Sequence, residues 1–150
     1  MPPPKSTPKK TGKKAAPARP PRWNLDHLYT GMGAAALKRD IARADKRATA
    51  FERKYKGKLA RLSGRRLGQA IKELEALDEL LGKMISYAQL LYAGAVSDTK
   101  IAQFYQTMNE RLNAASSNLL FFTLEINRLP DKVLKAKMGA AELAHYAPWL

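Results

Sequence analysis

"LGQAIKELEALDELLGKMISYAQLLYA" (residues 67–93) places Leu67, Ile71, Leu74, Leu77, Leu81, Met84, Ala88 and Leu91 at steps of three and four. That spacing returns each apolar side chain to one face of a helix with 3.6 residues per turn, and no strand pattern fits it. Ser63 or Gly64 provides a start, and the series runs on to Ala95. At about 1.5 Å per residue, some 30 residues form a rod of roughly 45 Å. A helix this long with a leucine stripe needs other helices beside it.

The flanking sequence supplies them. On the N-terminal side, Leu37, Ile41, Phe51, Tyr55 and Leu59, with Ala44 and Ala48 between them, repeat the same spacing from Gly33 onward. Gly57 between two lysines is the stop signal. On the C-terminal side, "VSDT" breaks the rod and Ser97 or Asp98 can cap a third helix. That helix presents Ile101, Phe104, Met108, Leu112, Ala115, Leu119, Phe122 and Ile126, and Pro130 closes it. A short helical piece from Asp131 to Met138 precedes Gly139, and one more turn fits before Pro148. The expected fold is all-α: three long antiparallel helices and short C-terminal helical pieces.

Residues 1–22 differ in kind. Lys5, Lys9, Lys10, Lys13, Lys14, Arg19 and Arg22 have no acidic companion there, and seven of the nine prolines lie in the same stretch. With almost no large apolar side chain, such a segment cannot offset the entropy of ordering, so a disordered basic tail is expected. The remaining 20 basic and 13 acidic side chains leave +7 of the total +14 spread over residues 23–150. The tail is read as a solvated extension or as a polyanion-binding arm acting through counterion release.

The sequence contains no cysteine, which excludes disulfides, a thiolate nucleophile and a thiolate zinc site. It fits a reducing compartment, so a cytoplasmic location is expected. No run approaches the roughly 18 apolar residues of a membrane span. Histidine occurs only at His27 and His145, which offers no helical His-x-x-x-His pair. There is no nucleophile elbow, phosphate-binding glycine loop or dinucleotide fingerprint. Glu73, Glu75, Asp78 and Glu79 cluster on the second helix but read as its wet face, and Tyr87, Tyr92, Phe104 and Tyr105 read as packing. No catalytic, cofactor-binding or metal-ligating residue is assigned.

In "NLLFFTLEIN" (residues 118–127), Leu119, Leu120, Phe121 and Phe122 point in four directions around a helix, and Leu124 and Ile126 add to them. A helix apolar all round calls for cover all round. The chain ends on "APWL", with Pro148, Trp149 and Leu150 also calling for cover. These residues predict further protein packed against this region, and a polypeptide that continues beyond Leu150. Glu125 is expected to pair with Arg128, three residues on.

Five strings carry a more specific likeness: "WNLDHLY" (23–29), "SYAQLLYA" (86–93), "FYQ" (104–106), "LLFFTLEIN" (119–127) and "AHYAPWL" (144–150). In this order and approximate spacing they resemble the N-terminal region of oligoendopeptidase F, a bacterial relative of thimet oligopeptidase among zinc metallopeptidases. The likeness spans residues 23–150. It implies an almost wholly helical enzyme whose N- and C-terminal parts wall a deep channel, and which cuts short peptides while excluding folded proteins. It implies zinc held by a His-Glu-x-x-His helix and a later glutamate, none of which occurs in this sequence. Residues 23–150 are then expected to be a non-catalytic channel wall, inactive alone. The expected partners are a missing catalytic domain and, in the complete protein, oligopeptide substrate, with no membrane. Asn24 departs from the aspartate common in the first string. The rival reading is a stand-alone basic helical protein that binds nucleic acid through its tail, and a third is a degenerate homologue kept as a binding scaffold.

Overall fold

The computed structural model describes residues 23–150, all helices, turns and connecting loops. The basic tail, residues 1–22, lies outside the described residues. Helix α1 spans Ala35–Tyr55 and α2 spans Gly64–Ala93, with a 3-10 turn at Leu59–Arg61 between them. Helix α3 covers Thr99–Ser117, α4 Leu120–Ile126 and α5 Asp131–Met138, and a 3-10 segment follows at Ala141–Tyr146. The all-α expectation holds.

Local chemistry explains three of these boundaries. Gly57 has φ 74°, the left-handed conformation that a glycine adopts at little cost just past a helix end. The Ser63 hydroxyl accepts from the Arg66 amide, and the Asp98 carboxylate accepts from the amides of Lys100 and Ile101 at 2.9 and 3.3 Å. Each cap satisfies donors that the first turn leaves without an intrahelical partner.

Cross-links fix the directions. Tyr55, at the end of α1, reaches Glu73 near the start of α2, while Asp40, near the start of α1, lies 3.9 Å from Lys83 further along α2. The pair is therefore antiparallel. Tyr92 stacks on Tyr105 across the short α2–α3 connection, at 5.0 Å between ring centroids. Arg111 of α3 bonds Asp45 of α1, so α1 and α3 run the same way and the three long helices go up, down and up. Because α2 has neighbours on several sides, its buried arc widens beyond the leucine stripe to include Ala70, Leu80 and Tyr87.

Two features correct the expectations. The third helix is not continuous to Pro130. Around Asn118 the bonding tightens, with the amides of Asn118, Leu119 and Phe122 each reaching back three residues, to Ala115, Ser116 and Leu119. This 3-10-like step re-aims α4, whose Phe121 and Phe122 rings lie 5.9 and 5.5 Å from that of Phe51 on α1. The expected Glu125–Arg128 pair is also absent among the described residues. Glu125 instead accepts a hydrogen bond from the Gly57 amide at 2.5 Å, since the turn after α1 lies against α4 and presents a fixed donor.

The C-terminal segment closes over the start of α2 at very short range. A Cβ at Gly64 would meet that of Ala140 at 2.7 Å, and one at Gly68 would meet the Glu142 Cβ and carbonyl oxygen at 2.7 and 2.9 Å. Two glycines one helical turn apart thus let the backbones meet. Lys137, on α5, is buried and donates its ammonium protons to the Ala60 carbonyl at 2.9 Å and to the Leu62 carbonyl. It ties α5 to the connection between α1 and α2.

Candidate functional site

The segment before α1 is positioned by Asn24 and Tyr29. Asn24 accepts from the Asp26 amide at 2.9 Å, closing the turn that the departure from aspartate had left open. Tyr29 is buried, donates its hydroxyl proton to Asp40 at 2.8 Å, packs edge-on to Tyr87 and carries the Lys83 ammonium 4.4 Å above its ring. Tyr87 continues edge-on to Phe104. Tyr29 and Tyr87 are core residues, and Phe104 packs partly buried against them. Burial first, and then the hydrogen bond to Asp40, raises the Tyr29 pKa well above its ordinary value; burial raises those of Tyr55 and Tyr87 too.

A pH dependence follows. A raised phenol pKa favours the protonated form in the folded state, so this stability is complete below the ordinary tyrosine value of about 10 and is lost as pH rises toward the folded value. Urea unfolding should show a lower midpoint at strongly alkaline pH than at neutral pH, and Tyr29→Phe should flatten that fall even though it weakens the protein at neutral pH. An unchanged alkaline slope in Tyr29→Phe would count against this environment.

The acids of α2 do not converge as a catalytic pair. Glu73 accepts from Lys54 at 2.7 Å and from Tyr55 at 3.1 Å, and Glu75 accepts from the Tyr146 hydroxyl at 2.6 Å. Glu79 is exposed, and Asp78 stands at the mouth of a cleft. Three surfaces remain as candidates. The first is a cleft of about 350 Å³ between α2 and the C-terminal end, bounded by Leu74, Glu75, Asp78, His145, Tyr146 and Trp149. Partial burial, and then the charge of Glu75, raises the Asp78 pKa, so this carboxyl holds its proton more readily than an ordinary aspartate. The cleft contains no activated nucleophile. Its residues lie too far apart in sequence for spacing to reveal it; the only local signal was the Glu75/Asp78 pair, three residues apart on one face.

The second is the outer side of α4. Leu119, Phe122 and Ile126 turn inward and are buried, whereas Leu120 and Leu124, one turn apart, are 60% and 46% exposed. The third is an open groove of about 620 Å³ between α1 and α3, lined by Ala42, Lys46, Thr49, Ala50, Arg53 and Arg111, with Asp45 bridged to Arg111. The terminal Trp149 is 52% exposed at the cleft, while Leu150 packs partly against the core.

Comparison with known proteins finds no family model, no curated protein and no solved structure that matches this chain.

Proposed function

We propose that residues 23–150 are a non-catalytic helical wall of a cytoplasmic, oligoendopeptidase F-like zinc metalloendopeptidase that hydrolyses short peptides. The observation that carries this reading is the outward Leu120–Leu124 pair, a leucine face one helical turn long beside a closed core. The ordered strings from Trp23 to Leu150 supply the family. In this reading the leucine face packs against the catalytic part, and α2 with its neighbours bounds the path of the peptide.

The chain's own residues do not fit a zinc site. Its two histidines are both exposed, and no three His, Cys, Asp or Glu side chains gather to hold a metal among the described residues. Zinc, if bound, would polarise the scissile carbonyl and activate water from ligands outside this sequence; no step of hydrolysis is assigned here. No described helix is long and apolar enough to cross a membrane. The test is the intact mass and zinc content of the protein isolated from its native cells. A zinc-bearing polypeptide several times heavier than 16.7 kDa is expected. A zinc-free species of 16.7 kDa, with no peptidase copurifying, would overturn the reading.

One observation favours a second reading, nucleic-acid binding through the tail: seven of the basic residues lie within residues 1–22 without an acid. Removing those residues should then abolish a steeply salt-dependent affinity for DNA. Absence of binding near physiological salt would end that reading.

A further inference from the structure

The outer edge of α1 carries a line of charge independent of the tail. At 100° per residue, Arg39, Arg43, Lys46 and Arg53 fall within an arc of about 80°. That arc lies opposite the buried stripe of Leu37, Ala44, Ala48, Phe51 and Tyr55. All four cations are exposed, and the acids of the helix, Asp40, Asp45 and Glu52, lie off the arc. Arg43 leans toward Asp40 at 3.7 Å, whereas Arg39, Lys46 and Arg53 make no ion pair among the described residues. The side chains beside the arc are small: Ala42, Thr49 and Ala50 floor the groove whose far side is Arg111 of α3.

We propose that this ridge is a docking surface for the phosphate backbone of a nucleic-acid duplex. From Arg39 to Arg53 the helix rises roughly 21 Å, about the axial length of six base pairs at about 3.4 Å per step, so the row can reach the phosphates that flank one groove. A straight row of cations on a rigid helix loses little entropy on meeting a regular row of anions, and the small side chains between them let the backbone approach. Contacts to phosphate fix a protein on the duplex without reading bases, so the proposed contact is independent of sequence. An anionic membrane fits less well. Helices that lie on lipid carry large apolar side chains next to their cations, and the exposed apolar residues of α1 on or beside this arc are the alanines Ala35, Ala42 and Ala50.

The experiment compares two full-length variants with the same change in net charge. Arg39→Glu/Lys46→Glu/Arg53→Glu reverses the ridge, and Lys72→Glu/Lys132→Glu/Lys135→Glu reverses exposed lysines on α2 and α5. A short DNA duplex is titrated with each across a range of salt, and circular dichroism checks that both stay helical. The ridge variant should bind about tenfold or more weakly than the control, with a log–log salt slope lower by about 2–3. A neutral Arg39→Gln/Lys46→Gln/Arg53→Gln set should fall between them, and it serves if the reversal disturbs folding. Equal binding by the two reversals, or no binding by the parent chain, overturns the proposal. So does a ridge variant that keeps its duplex affinity but loses binding to phosphatidylserine vesicles, which would assign the ridge to lipid. The tail is intact throughout, so a difference between the two reversals reports on the ridge and not on the tail or the peptidase reading.

Discussion

Phe122→Ala is expected to cost about 3–5 kcal/mol, the range for deleting a fully enclosed ring whose surroundings only partly collapse. Phe122 has no exposed surface and lies 5.5 Å from the Phe51 ring, with Phe121 and Tyr55 completing the cluster between α1 and α4. Folded domains of this size hold only about 5–15 kcal/mol in reserve, so the variant should melt far earlier or fail to stay folded. Leu124→Ala, two residues away, removes a leucine that is 46% exposed and should change stability much less. Urea unfolding of both variants reads the difference directly. Equal losses would mean that α4 is rotated from the orientation described, and that the outward leucine face does not exist.

Lys137→Met should cost roughly 3 kcal/mol although it replaces a charged residue by an apolar one of similar length. The methionine retains the buried stem. It removes two charge-assisted hydrogen bonds and leaves the Ala60 and Leu62 carbonyls without a donor where α5 covers them. Lys135→Ala, on the exposed side of the same helix, is the comparison and should lie within about 0.5 kcal/mol of the parent. Under native conditions, amide exchange in Lys137→Met should rise in the C-terminal segment first, because Lys137 is the polar tie that holds it to the α1–α2 connection. Similar losses for the two lysines would show that the tie contributes nothing beyond a surface charge.

Helices α1, α2 and α5 were legible before any coordinates because their signals are local. The apolar spacing, Ser63, Asp98, Gly57 and Pro130 each act within a few residues of where they stand. The break near Asn118 was not legible. Leu112, Ala115, Leu119, Phe122 and Ile126 keep helical spacing straight through it, with no glycine or proline to mark a step. What re-aims α4 there is distant in sequence: Phe51 and the turn at Gly57, whose amide captures Glu125. Arg128 was the partner that proximity along the chain suggested, and a fixed backbone donor 68 residues away took its place.

The surfaces divide in the same way. The basic ridge of α1 is a property of one helix, and its alignment follows from 3.6 residues per turn alone. The cleft beside Asp78 and the buried Lys137 required the C-terminal segment to fold back onto α2, which Gly64 and Gly68 permit by presenting no Cβ. By itself, then, the sequence determined the helical class, the positions of the rods and the inward face of each, because these depend on spacing within a turn or two. Only the tertiary structure decided where the third rod breaks, which leucines of "NLLFFTLEIN" stay wet and which lysine is buried. The reason is physical: burial depends on which neighbour arrives to exclude water, and those neighbours come from remote parts of the chain.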